Sequence, residues 1–244
     1  MIQGFYTAAS GLDSHQKKLD VISNNIANSG TTGYKASSVS FKDNLYSEIL
    51  RPTDGEALMR GSGVRVSAVN RDYSSGTIYE TEGNLDFAIQ GDGYFAVSDG
   101  DKIMYTRDGC FSISTESDGS YLVNKQGLYV LDSENRRISV DRDDFNIYID
   151  GSIGDTGAFI AVYDFANKDG LYHAGGNCFE TTAVSGEAVP VESKTVKQGF
   201  LEKSNVDFGQ EMINMIEAQR AYQLSSRVVK TIDEMEGNAN NLRG

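Results

Sequence analysis

Apolar residues recur every three or four positions along the final stretch of the chain, from Ser204 to about Leu242. It contains no proline, and only Gly209 and Gly237 interrupt it. Ile213, Ala221, Leu224, Val228, Ile232 and Met235 form one stripe, and Phe208, Met212, Met215, Tyr222 and Val229 form a second beside it. The spacing predicts one long amphipathic helix with a wide apolar face. Ser204 or Asn205 is placed to cap its first amides, and Asp207 and Glu211 suit the positive end of a helix dipole. About 35 residues at ~1.5 Å each span roughly 50 Å, more than a compact domain of this size covers. The apolar face therefore needs another long helix, from this chain or from a neighbouring one.

The opposite end of the chain supplies a candidate. Over residues 3–28, Ile2, Phe5, Ala9, Leu12, Leu19 and Ile26 fall on three- and four-residue steps, with Gln16 and Ser23 in the gaps. This is a heptad-like seam with polar interruptions, widened by Val21 and Ile22. Pairing of the two terminal helices in one bundle is favoured over an ordinary amphipathic helix packed on its own domain. The first helix ends in Asn24, Asn25 and Asn28, whose amides both donate and accept and so suit capping or register-setting. Gly30 and Gly33 then permit a sharp exit.

Between the ends the period changes from helical to alternating. Residues 76–198 carry short runs at Thr77–Tyr79, Phe87–Ile89, Tyr94–Val97, Ile103–Tyr105, Phe111–Ile113, Tyr121–Val123, Leu128–Leu131, Phe145–Ile149 and Ala158–Tyr163, separated by glycine-rich turns. Asp-Gly steps at 92, 99, 108, 118, 150 and 169 suit tight hairpins in which both central residues take positive φ. Asp99, Asp101 and Asp118 also raise calcium binding, but no turn has the spacing of an EF-hand loop. Asp143 and Asp144 are adjacent and point to opposite faces of a strand, so they cannot flank one glycosidic bond. Residues 36–75 are less regular. Phe41–Tyr46 is expected to extend a short helix or to pack back on the terminal helices. Gly61-Ser62-Gly63 reads as a turn before a strand Val64–Val69, since it lacks the glycine and lysine pattern of a phosphate loop. The whole is an α+β chain, with long N- and C-terminal helices forming a coiled-coil-like layer and an inserted all-β domain. The expected segments are 1–35, 36–75, 76–198 and 199–244.

Composition narrows the function classes. The net charge of −13 argues against a nucleic-acid surface. No apolar run reaches the ~20 residues that span a bilayer, and the N-terminus lacks the basic start and apolar core of a cleaved signal peptide. Cys110 and Cys178 are widely separated, as are His15 and His173, so neither metal nor redox spacing is present. No cofactor is expected, and no spaced nucleophile, histidine and acid set marks an enzyme.

Three stretches together resemble a known family. They are Ala8-Ala9-Ser10-Gly11-Leu12 with Leu19–Asn28 and Thr32-Gly33-Tyr34-Lys35; Leu85–Ile89 with Gly91-Asp92-Gly93-Tyr94-Phe95; and Gln198-Gly199, Glu202, Ser204-Asn205-Val206 with Glu211–Tyr222. In this order they are similar to bacterial flagellar basal-body rod and hook proteins over nearly the whole chain. The resemblance implies a structural subunit that self-assembles with related rod and hook proteins into a helical tube transmitting motor torque. It also implies passage through the flagellar export apparatus without a cleaved signal peptide, and residence in the extracytoplasmic basal body without direct membrane insertion. The short segment after Leu50 and the ending Asp233–Leu242 lean toward a proximal rather than a distal rod member. On this reading Leu12, Leu19, Ile22 and Ile26 meet Ile213, Leu224, Val228 and Ile232 in the helical layer, and Asn24, Asn25 and Asn28 set register. Glu217 and Arg220 form an ion pair within the helix or bridge to the next subunit. The termini are expected to be partly disordered until copies dock. The alternative is a secreted carbohydrate- or calcium-binding β module oligomerised by its helices, and an envelope hydrolase is a further rival.

Overall fold

A computed structural model describes residues 2–50, 58–116, 119–140, 152–153, 158–191 and 195–242. The chain is α+β, with a helix at each end and strands between, and it divides into two compact units. One comprises Met1–Ala27, Ser37–Arg71 and Asp207–Gly244, and the other Asn28–Ala36 and Asp72–Val206. Among the described residues no helix is long and apolar enough to cross a membrane.

The first unit is built on α1 (Ile2–Ala27) and α2 (Phe208–Asn241). The 34 residues of α2 make a rod of roughly 50 Å. Its cap is not Ser204 or Asn205 but Asp207, whose carboxylate accepts from the Gln210 amide at 3.1 Å. The strand Phe200–Glu202 and an extended stretch occupy the residues before it. The two helices pack antiparallel. A Cβ on Gly4 would lie 3.4 Å from Ile232 Cδ1, and one on Gly11 3.6 Å from Ser225 Oγ. The strands Ser37–Asp43 and Val64–Arg71 form a ribbon, and no helix extends over Phe41–Tyr46. Ser37–Asp43 pairs antiparallel with Val64–Arg71, with an irregularity between Ser40 and Phe41. The ribbon packs back on α1, where Ser14 Oγ donates to the Val64 carbonyl and Ser10 Oγ accepts from its amide, each at 3.3 Å.

The second unit centres on the strand Tyr94–Ser98, which is buried on both faces. One edge pairs with Ile103–Thr106 and, beyond it, with Cys178–Glu180 and Tyr172–Gly175. The other edge pairs with Val162–Asp164 near its start and Tyr129–Val130 near its end. Tyr129–Val130 leads on to Gly119–Asn124 and Phe111–Glu116. Strand alternation divides its side chains between two cores. Phe95 and Val97 join Phe87, Leu122, Val130 and Ile138 on one side. Tyr94 and Ala96 join Tyr105, Tyr163, Phe165 and Phe179 on the other. The second core is an aromatic cluster, with Tyr105 meeting Phe165 edge-on at a centroid distance of 4.9 Å.

Most of the alternating runs are strands, while Ala158–Tyr163 divides into Ala158–Phe159 and Val162–Asp164. The strand expected at Phe145–Ile149, the Asp143-Asp144 pair, Asp118 and Asp150 lie outside the described residues. The Asp-Gly steps do not share one turn geometry. No described aspartate has positive φ, although Gly93, Gly100 and Gly119 do. Gly109 is needed for space, because a Cβ there would sit 1.8 Å from the Phe87 carbonyl oxygen. Asp99 closes its own turn, accepting from the amides of Asp101 and Lys102, which hold its carboxyl below the usual range. Both cysteines are free thiols, and burial pushes that of Cys178 up to about 11.

Gly109→Ala should lower stability by about 1–3 kcal/mol through overpacking against the Phe87 carbonyl. Gly30→Ala, with nothing within 4 Å of the new methyl, should leave stability nearly unchanged. Urea unfolding of the two variants checks the contrast.

Candidate assembly interface

On α2 the side chains that turn inward step by four and three residues: Met215, Ala218, Tyr222, Ser225, Val229 and Ile232. Ala218 is buried and the others are half-buried. This spacing keeps a seam against a neighbouring antiparallel helix. The antiparallel register sets Leu12 of α1 level with Leu224 and Leu19 level with Glu217. Ile22 is buried, and Leu12, Leu19 and Ile26 are half-buried.

A second apolar row on α2 has no cover among the described residues. Phe208, Met212, Ile216, Leu224 and Val228 are 48–60% exposed and follow steps of four, with Arg220 in the gap. Ile213 and Met235 are exposed beside it. The two stripes read from the sequence are thus divided differently by the fold. Met215, Tyr222, Val229 and Ile232 turn inward, while Ile213, Leu224 and Val228 face solvent in the single chain. Glu217 and Arg220 are both exposed and make no ion pair with each other. Asn25 is buried and brackets Ser37, donating to its carbonyl at 2.7 Å and accepting from its amide at 2.9 Å. Asn28 accepts from Thr31 Oγ1 at 3.2 Å, and Asn24 is exposed.

In the second unit, the segments flanking the helices meet in a buried ionic knot that motif reading did not single out. Lys35, Arg107 and Glu202 are each at most 4% exposed. Glu202 Oε1 accepts from Lys35 Nζ and from the Gly76 amide, both at 2.7 Å, and its Oε2 accepts from Arg107 Nε. Arg107 also donates to the carbonyls of Gly91, Gly93 and Ile89, and Lys35 to that of Ser74. Burial holds the Lys35 ammonium below its usual pKa, outweighing the opposing pull of Glu202. Asn205, expected to cap α2, completes the closure instead. It accepts from the Ala36 amide at 2.7 Å and donates to the Asp72 carbonyl at 2.9 Å. Lys35, Gly91, Gly93, Glu202 and Asn205 all belong to the stretches that carry the family resemblance. Arg107 does not, and no local pattern marks it.

A helical layer with a half-exposed apolar row, and a β unit closed on such a knot, fit the class of structural subunits to which comparison with known proteins assigns the chain. The family models agree. "Flagella basal body rod protein" matches residues 5–35, "Flagellar hook protein FlgE/F/G D1 domain" matches 88–158, and "Flagellar basal body rod FlgEFG protein C-terminal" matches 197–242. The chain is 36% identical to the flagellar basal-body rod protein FlgG of Bacillus subtilis, over 96% of this chain and 97% of that one. It is 38% identical to FlgG of Agrobacterium fabrum, over 93% and 94%. It is 30% identical to the flagellar hook-basal body complex protein FlhP of Bacillus subtilis, over the full length of both. The chain belongs to the flagellar basal-body rod and hook protein family, a structural family and not an enzyme family.

Glu202→Ala should destabilise the chain by roughly 3–5 kcal/mol, since it leaves two buried cations without their shared anion. Lys35→Met should cost distinctly less, because Glu202 keeps Arg107. Urea midpoints of the two variants, compared at equal slope, check the order.

Proposed function

We propose that this protein is a structural subunit of the flagellar basal-body rod, holding the place of its FlgG relatives. Copies join through the outward row of α2. The observation that carries this reading is the row of large apolar side chains left half exposed along a helix whose inner face is already occupied. An interface between copies would bury it, and a contact repeated with a rotation that does not close generates a helical tube. Glu217 and Arg220, unpaired with each other, then serve as bridges to the next subunit. Leu12, Leu19, Ile22 and Ile26 hold α1 in place, so that α2 presents its outer face. Asn25 sets the register of α1 against the ribbon.

The partners are copies of itself and related rod and hook proteins, to which the likeness with FlgG and FlhP extends. The place of action is the extracytoplasmic basal body, reached through the flagellar export apparatus without a cleaved signal peptide. The segment after Leu50 and the ending on α2 suggested a proximal place. The full-length likeness to FlgG supports the place those relatives occupy.

The test is sedimentation of the purified chain across a concentration series. The parent chain should form large oligomers or tubes. Leu224→Asp combined with Val228→Asp should raise the concentration needed by at least about tenfold, with the melting of the dilute chain unchanged. Equal assembly by the double variant would refute the interface.

A further inference from the structure

The ribbon of the first unit carries a like-charge pair that makes no ion pair among the described residues. Lys42 and Arg65 are direct partners across the two strands. Their side chains leave the same face, where like charges repel. Both are exposed, and neither makes an ion pair among the described residues. They line a groove of about 570 Å³ together with Asp43, Leu45 and Tyr46, so its lining carries two bases and one carboxylate. Leu45 and Tyr46 are 90% and 55% exposed. The groove floor is held by Asn44, whose amide donates to the Gly63 carbonyl at 2.8 Å and whose side chain donates to that of Ser62 at 3.2 Å.

The far end of α2 has the opposite problem. Asp233, Glu234 and Glu236 fall within four residues, none is ion-paired among the described residues, and the last turn of the helix contains no base. Between them Met235 is 54% exposed. This end therefore presents carboxylates around an apolar side chain, while the groove presents an excess of base, Lys42 and Arg65 against Asp43, beside apolar side chains. Among the described residues they do not meet within one copy: the Ile232 turn is held beside Gly4, and the carboxylates make no bond to Ser37–Asp43 or Val64–Arg71.

We infer that the Lys42–Arg65 groove receives the acidic end of α2 from a second copy of the chain. The inference rests on the self-assembly proposed above and adds a second, electrostatic contact to the apolar one. It explains why the ribbon tolerates a like-charge pair at this position, since assembly removes the repulsion. It also makes the contact directional, because the groove and the acidic helix end are different surfaces and each copy offers one of each.

The test is a charge exchange read by sedimentation at low and high salt. The chains compared are the parent, Lys42→Glu with Arg65→Glu, Asp233→Lys with Glu234→Lys, and all four substitutions together. Each double variant should raise the assembling concentration by about 3- to 10-fold at low salt, and the difference should shrink at high salt. The fourfold variant should return to within about twofold of the parent. Double variants that assemble like the parent would overturn the inference, as would a fourfold variant no better than either double. A parent chain that stays monomeric at every concentration would overturn the self-assembly reading itself, and this inference with it. Unchanged melting of each dilute variant shows that folding is not the cause.

Discussion

A helix of 34 residues with apolar side chains on two sides cannot be covered by one shorter partner. α1, at 26 residues, covers the face bearing Ala218, Tyr222 and Val229. Phe208, Met212, Ile216, Leu224 and Val228 remain half exposed in the single chain. Exposing a row of this kind is unfavourable in water by an amount that grows with its area. A monomer that kept such a row would gain by covering it. On the proposed reading, that gain is what drives assembly.

The second unit uses a different interaction for a different purpose. Burying Lys35, Arg107 and Glu202 together is weak evidence for stability, since desolvation offsets much of the attraction. Its effect is geometric. Glu202 has one set of donors that satisfies it, and Lys35, Gly76 and Arg107 bring three separate parts of the chain to that point. Asn205 then fixes Ala36 and Asp72 beside it. The segments that lead to the two helices leave this unit from one defined place. Apolar packing would tolerate slippage there, whereas a shared carboxylate and a bracketing amide do not.

Both long helices, the inserted β unit and most of its strands were legible from periodicity alone, because burial on one side imposes a spacing. What periodicity could not show was which of two adjacent stripes turns inward. Leu224 and Val228 are as apolar as Val229 and Ile232, and only the partner helix decides between them. Asn205 looked like a cap because its type suits one, yet Asp207 lies where the backbone turns helical. The strands Thr195–Gln198 and Phe200–Glu202 were missed for a related reason. They pair with Phe87–Gln90 and Ile78–Glu80, more than a hundred residues earlier, and their polar positions hide the alternation. Arg107 was invisible for lack of any local pattern, since its partners come from three separate parts of the sequence, at Ser75, Ile89–Gly93 and Glu202. Glycine gave two distinct signals that look alike on paper: positive φ at Gly93 and Gly100, and close backbone approach at Gly109.

The chain has no tryptophan, so a single introduced indole reports its own surroundings. The most direct measurement places one at Leu224, on the outer row, and in a separate chain one at Val229, on the inner seam. Emission is then followed as the protein is concentrated through assembly. The account predicts that Leu224→Trp emits as an exposed indole when dilute and shifts to the blue as oligomers form. Val229→Trp should already be shifted when dilute and change little. A Leu224→Trp emission that stays that of an exposed indole while large oligomers accumulate would contradict the claim that this row joins the copies.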